Sequence, residues 1–160
     1  MPSVPPYHEP MASLLDQAAN SGALRYLAHG RLADEADSGP PSPEVDRWHL
    51  GTHPDIVERL WDVLNAALPD DARRLVFDGP ALVHPRGVLL AAGVGTQYVL
   101  RLLAPDRALA IQAGAEVVHH FRTVDTTLDL AATFGPEWVF GRFDEREPGW
   151  LLDSYRSIRG

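Results

Sequence analysis

The stretch HPDIVERLWDVLNAAL, residues 53–68, decides the fold. Its apolar side chains recur at the spacing of one helix face: Ile56, Val57, Leu60, Trp61, Leu64 and Leu68. Thr52 followed by Pro54 is typical of a helix start, with Thr52 as the N-cap. Pro69 ends the pattern, because proline interrupts a helix. The stretch therefore predicts an amphipathic helix whose apolar side covers a core.

Several short β segments follow this helix. Residues 74–77, 81–84, 88–92 and 96–102 are rich in Val and Leu, and turns containing Gly or Pro separate them. Connections this short cannot carry parallel crossovers, which need about a dozen residues. We therefore predict a single-domain α+β fold, with an antiparallel β-meander of three to five strands packed against several helices. One face of the meander is expected to lie on the helix at 53–68.

The segment SGPPSP, residues 38–43, is the clearest break in the chain, because three prolines and a glycine continue neither a helix nor a sheet interior. It divides the chain into an N-terminal arm, residues 1–47, and a globular α+β domain, residues 48–160. The arm contains two apolar helical patterns, at 14–20 and 23–36. We expect both patterns to form helices.

The last third of the chain predicts a mixture of elements. Ala104 opens a short helix that Gly114 closes. Val117 favours a strand, and a cap at Thr126 predicts a helix that runs to Phe134. A final helix is expected from Trp150 onwards.

The charge balance restricts the classes of partner. All 14 basic residues are arginine, against 22 acids, which gives a net charge of −8. An acidic chain is poorly suited to nucleic acid or to anionic membranes, both of which attract cations. We therefore predict no nucleic-acid or membrane partner. A basic protein partner is permitted, although the charge can also serve solubility alone.

Missing residue types exclude several chemistries. Without lysine the chain has no Schiff-base lysine and no P-loop lysine, and without cysteine it has no thiolate metal ligand or nucleophile. No cofactor is predicted. No apolar run approaches the roughly 20 residues of a membrane span, so we expect a cytoplasmic protein. The segment 53–101 and the run GPEWVFG, residues 135–141, resemble small bacterial proteins without implying an activity.

His49 and His53 are a candidate metal site. They stand four residues apart, and Asp55 lies beside them, so an imidazole pair with a carboxylate is conceivable. A helix that begins at Thr52 leaves His49 outside, however, and the H-E-x-x-H pattern is absent. The competing interpretation is a capping histidine next to Pro54, and we prefer it.

Other histidines and arginines offer a weaker catalytic hypothesis. His119 could act as a general base, although in a strand it and His120 point to opposite faces and cannot share an ion. His84 and Arg86 lie in a predicted turn, and Arg101 leaves the neighbouring strand, so together they could clamp an anion. The alternative is a solvated turn with an arginine on the sheet surface.

Two functions follow as hypotheses. The first, which we prefer, is a noncatalytic binding or accessory protein, regulatory or immunity-type, that holds a basic protein partner. The second is a small enzyme that uses histidine and carboxylate acid-base or metal chemistry with an arginine anion clamp. A concave pocket that unites two of these candidate side chains would favour the enzyme. Scattered histidines would favour the binding protein.

Overall fold

The computed structural model describes residues 18–28, 37–39, 52–118, 120–122, 127–129 and 137–158. Its helices, in chain order, are α1 (Ser21–Ala28), α2 (Pro54–Glu58), α3 (Ala104–Gln112) and α4 (Glu147–Ser157). A 3₁₀ turn at Ala18–Asn20 precedes α1, and α2 continues through a π-helical stretch, Arg59–Leu64, into a 3₁₀ turn, Asn65–Ala67. The strands are β1 (Asp37–Gly39), β2 (Arg73–Val76), β3 (Gly79–Val83), β4 (Leu89–Val94), β5 (Gln97–Arg101), β6 (His120–Arg122), β7 (Thr127–Asp129) and β8 (Trp138–Phe140).

The main sheet is antiparallel and contains six strands, in the order β1-β2-β3-β4-β5-β8. The four central strands are sequential neighbours, so the predicted α+β fold with a β-meander is confirmed. Strands β1 and β8 extend the meander at its two edges. Strands β6 and β7 form a separate antiparallel pair.

One face of this sheet packs on the continuous helical segment 54–67 and on α4. The apolar stripe of the segment is buried together with the side chains of alternate strand residues, which include Leu82, Tyr98 and Leu100. Trp61 and Leu64 lie inside this cluster, as their spacing predicts. Only alternate strand residues lie on this face, because successive side chains of a strand point to opposite faces of the sheet.

The opposite face of the sheet packs on α1. Ala23, Leu24 and Leu27 are buried there against strand residues such as Val83 and Val99. The Asn20 side chain fastens this region to the β3–β4 connection, since it donates to the Gly87 carbonyl and accepts from the Leu89 amide. Of the residues in the predicted N-terminal arm, those of α1 therefore pack on the sheet and those of β1 form one of its strands.

Several local predictions are wrong in detail. The cap of α2 is His53, whose Nδ1 accepts from the Asp55 amide, and Thr52 does not serve as the cap. The predicted turn at 93–95 lies later, because β4 continues to Val94 and the two connecting residues are Gly95 and Thr96. The left-handed φ of Gly95, 62°, suits such a tight turn.

The helix predictions also need correction at their ends. Residues 127–129 are a strand where a helix from Thr126 was expected, because pairing with β6 satisfies their backbone. Gly22, which separates the two predicted helical patterns at 14–20 and 23–36, lies inside α1. Helix α4 begins at Glu147, before the expected start at Trp150. Residues 14–17, 29–36 and 130–134, also expected to be helical, lie outside the described residues. Across the described part of the chain, no helix is long and apolar enough to span a membrane.

Candidate functional site

His84 lies at the end of β3 and is buried. Its Nδ1 accepts from the Arg86 amide at 3.0 Å, and its ring packs against Tyr155 with the centroids 4.4 Å apart. Burial and the nearby Arg86 charge lower the pKa of His84, which Asp70 partly opposes. The imidazole is therefore neutral at pH 7. The Tyr155 hydroxyl donates to the Asp70 carboxylate, and burial with this bond raises the pKa of Tyr155 to about 12.

Arg101 does not join His84 and Arg86 in an anion clamp. Its side chain lies on the α1 face of the sheet, above the Trp138 ring, whereas His84 contacts Tyr155 on the α4 face. The Arg101 guanidinium donates to the carbonyls of Leu89 and Ala19 and lies 3.6 Å from Glu137. Its donors therefore bind the protein itself, and they join the 3₁₀ turn before α1 to the sheet.

The candidate metal residues are not assembled into a site within the described chain. His53 Nδ1 lies 3.8 Å from the Asp55 carboxylate and is already engaged as the helix cap. His49 and His119 lie outside the described residues. Among the residues that the structure does describe, no group of three or more His, Asp or Glu is placed to hold a metal ion.

A buried polar network surrounds Glu147, at the start of α4. Only 3% of Glu147 is exposed. Its Oε1 accepts from the Tyr98 hydroxyl at 2.5 Å and from Arg59 Nη2 at 2.8 Å, and its Oε2 accepts from the Arg142 amide at 2.8 Å. The Phe143 amide donates in turn to the Tyr98 hydroxyl, at 2.6 Å. Glu147 thus fixes the loop 141–146 to the sheet and to the helical segment 54–67.

Burial and hydrogen bonding in this network shift the pKa values of Tyr98 and Arg59. Burial, reinforced by the hydrogen bond to Glu147, raises the pKa of Tyr98 well above its usual range. Such a tyrosine does not give up its proton near neutral pH. Burial lowers the pKa of Arg59, but the interactions with Glu147 and Tyr98 together outweigh it, so the pKa is raised. The Tyr98 hydroxyl and the Arg59 guanidinium therefore both keep their protons near neutral pH.

A pocket of about 230 Å³ lies beside this network, between α3, the sheet and the loop 141–146. Most of its lining residues are apolar and come from the strands, the helices and the segments next to them: Leu100, Leu102, Ala110, Ala113, Ala115, Val139, Phe140 and Trp150. Three polar residues complete it: Arg142, Asp144 and Glu147. None of the candidate residues chosen from the sequence lines this pocket.

Helix α3 covers one side of the pocket and exposes most of its own surface. Only Ala110 of its nine residues is buried, whereas Leu109 and Ile111 are 42% and 43% exposed. Beside it, the side chain of Asp106 shares a hydrogen bond with Asp153 of α4. Partial burial, followed by this bond and the Asp153 charge, raises the pKa of Asp106 to about 6. An apolar helix surface and a carboxyl pair thus lie side by side.

The sequence does not predict the Glu147 network, the pocket or the carboxyl pair, because the residues that form each of them are distant in the chain. Arg59 and Glu147, for example, are 88 residues apart. One signal was present. Pro148 directly after Glu147 is typical of the first turn of a helix, and it would have moved the predicted start of α4 to Glu147.

The Asp153→Asn variant tests the carboxyl pair. The raised pKa means that the folded state binds a proton more tightly than the unfolded state, so stability falls as pH rises from about 4 to about 6. Removing the Asp153 charge should raise the free energy of unfolding by about 0.5 to 1 kcal/mol at pH 7.5, after allowance for solvent screening. At pH 3.5 we expect no gain.

Urea unfolding at the two pH values measures this difference. The control is Glu145→Gln, which removes one negative charge from an exposed loop position. It should alter stability little at either pH. An equal effect of Asp153→Asn at both pH values would show that the two carboxyl groups do not interact.

Comparisons with known proteins do not assign this chain to a family. No protein-family model matches the chain, and no solved structure matches it significantly. The chain is 32% identical over 126 residues to a mouse protein, serine/threonine-protein kinase MRCK gamma. The match includes 68% of this chain but only 8% of the mouse protein. Protein kinases bind the ATP phosphates with a lysine, and this chain contains none, so the similarity does not imply kinase activity.

Proposed function

We propose that this protein is a noncatalytic accessory protein, regulatory or immunity-type, that binds a basic segment of a partner protein on α3. The observation that carries the proposal is the exposure of Leu109 and Ile111 on a helix with a single buried residue. A surface helix usually presents charged residues to solvent. Apolar side chains that remain exposed together are typical of interaction sites.

The exposed surface of α3 is largely apolar. Helical spacing places Ala104, Ala108 and Ile111 on one row, and Pro105 with Leu109 on the next. All five residues are exposed. A partner that covers these two rows removes apolar surface from water, which is the main favourable term in most protein association.

Charge complementarity favours a basic partner. The protein carries a net charge of −8, and Asp106 and Asp153 form the carboxyl pair at this helix. An arginine or lysine placed at the pair would offset the repulsion between the two carboxylates. We therefore propose an amphipathic partner segment, with apolar side chains on α3 and cations at the carboxyl pair. We propose that this complex forms in the cytoplasm of a bacterium.

The alternative function, a small enzyme, has less support. His84 is neutral and lies near Arg86, which suits a general base. Arg101, however, lies on the other face of the sheet, and the described pocket contains none of these three residues. Within the described residues, therefore, these candidates do not meet in one pocket where substrate could contact base and anion clamp together.

Fluorescence anisotropy with two labelled peptides tests the proposal. The peptides share an amphipathic helical pattern, but one carries lysine on its polar face and the other glutamate. We expect only the basic peptide to bind. The double variant Leu109→Ser, Ile111→Ser should weaken its binding by at least about tenfold, because two apolar side chains lose their contacts.

The control for these substitutions is Val63→Ser. Val63 is also an exposed apolar residue, but it lies on the helical segment 54–67. Its replacement should leave the affinity of the basic peptide unchanged. Equal binding of both peptides, or equal losses in the Val63 and α3 variants, would contradict the proposal.

A further inference from the structure

The pocket between α3 and the loop 141–146 has the size of a small-molecule site. Its volume is about 230 Å³, while an apolar cavity of about 150 Å³ in another protein binds benzene. A phenyl ring with a short side chain therefore fits. Leu100 and Val139 are buried strand residues, Leu102 is buried just after β5, and Trp150 adds an aromatic surface.

Arg142 supplies a cation at this pocket. Its Nη1 donates to the Gly114 carbonyl, at the end of α3, which fixes one side of the guanidinium. No carboxylate within the described part of the chain forms an ion pair with it. Among the described residues, Nε and Nη2 of Arg142 have no acceptor, and that edge of a guanidinium matches a carboxylate in a bidentate way.

The two acids that line the pocket are already matched by other arginines. Asp144 pairs with Arg146 at 2.8 Å, and this bond lowers the pKa of Asp144 to about 2. Glu147 pairs with Arg59 at the same distance, inside the buried network. The pocket and its immediate ion pairs thus contain three arginines and two carboxylates. The arginines are Arg59, Arg142 and Arg146. One positive charge is left at the pocket in a protein of net charge −8.

We propose that this pocket binds a small monocarboxylic acid with an apolar body, such as an arylalkanoate. The hydrocarbon part lies among the apolar lining residues, and the carboxylate accepts hydrogen bonds from Arg142. The site is separate from the exposed rows of α3, so the inference does not depend on the proposed partner segment. Because Ala110 and Ala113 of the α3 region line the pocket, a ligand there contacts the underside of that helix.

Isothermal titration calorimetry with three related compounds tests this assignment. Phenylacetate is the probe, 2-phenylacetamide is its neutral counterpart, and 2-phenylethylammonium is the cationic one. We expect phenylacetate to bind at least about tenfold more tightly than the other two, as a hydrogen bond between charged groups is stronger than a neutral one. Equal binding of acid and amide would overturn the assignment.

Three variants locate the site. Arg142→Gln should weaken phenylacetate binding about tenfold and remove the preference over the amide. Arg156→Gln removes the same charge from an exposed position of α4 and should leave binding unchanged. Ala113→Phe places a ring in the pocket from an exposed residue, so it should abolish binding and keep the fold. Wild-type affinity in folded Ala113→Phe or Arg142→Gln protein would refute the proposal.

Discussion

Replacing Gly141 with alanine is expected to destabilise the protein by more than about 3 kcal/mol, or to prevent folding. An added Cβ would lie 1.9 Å from Tyr98 Cε2, well inside van der Waals contact. The Tyr98 ring cannot move aside easily, because it is 1% exposed and its hydroxyl is bonded to Glu147 and Phe143. The backbone of Gly141 also donates to the Tyr98 carbonyl at 2.8 Å.

Gly149→Ala is the matched control for this substitution. No atom lies within 4 Å of a Cβ added at Gly149, and the residue lies in the first turn of α4. Alanine there should stabilise the protein by about 0.5 to 1 kcal/mol, because glycine disfavours a helix. Urea unfolding followed by circular dichroism compares the two variants. Similar stability of Gly141→Ala and wild type would show that the glycine and the ring do not approach each other as described.

Replacing Glu147 with glutamine is expected to cost about 3 kcal/mol, since removing one partner of a buried ion pair leaves the other charge uncompensated. Glutamine keeps the size of the side chain, but it loses the charge opposite Arg59. Its amide nitrogen also cannot accept from the Arg142 amide, the bond that Oε2 accepts now. The control is Asp71→Asn, in an exposed pair with Arg73, which should cost no more than about 1 kcal/mol.

A double variant tests whether Arg59 and Glu147 act as a pair. Combining Arg59→Met with Glu147→Gln should cost less than the sum of the two single substitutions, because each single variant leaves one charged group buried alone. The free energies of unfolding from urea titrations give the coupling. Strictly additive losses would mean that the ion pair makes no contribution of its own.

Local patterns explain which parts of the fold could be predicted. The helical stripe at 56–68 and the antiparallel order of the short strands depend only on near neighbours in sequence, and the structure confirms both, although the turn predicted at 93–95 lies at Gly95 and Thr96. The face of Tyr98, Leu100 and Leu102 was also predicted, since strand alternation fixes it. The strand at 127–129 was missed because its pairing with β6 overrides the helix signal of Thr126.

The polar features could not be predicted for a different reason. The burial of Glu147 depends on Arg59 and Tyr98, which lie 88 and 49 residues away. No periodicity in the sequence links the three positions. Histidine chemistry suggests catalytic or metal-binding roles, yet His84 packs on Tyr155 and His53 caps a helix. The pocket and the exposed rows of α3 arise only when separate elements are assembled.

Amide chemical-shift mapping with the basic amphipathic peptide tests the proposed binding surface most directly. ¹⁵N-labelled protein is titrated with this peptide, and the shift of every assigned amide is followed. We predict that the largest changes lie in α3 and near Asp153, and that they vanish in the Leu109→Ser, Ile111→Ser variant. Changes spread evenly over the acidic surface, or centred on the helical segment 54–67, would contradict the account.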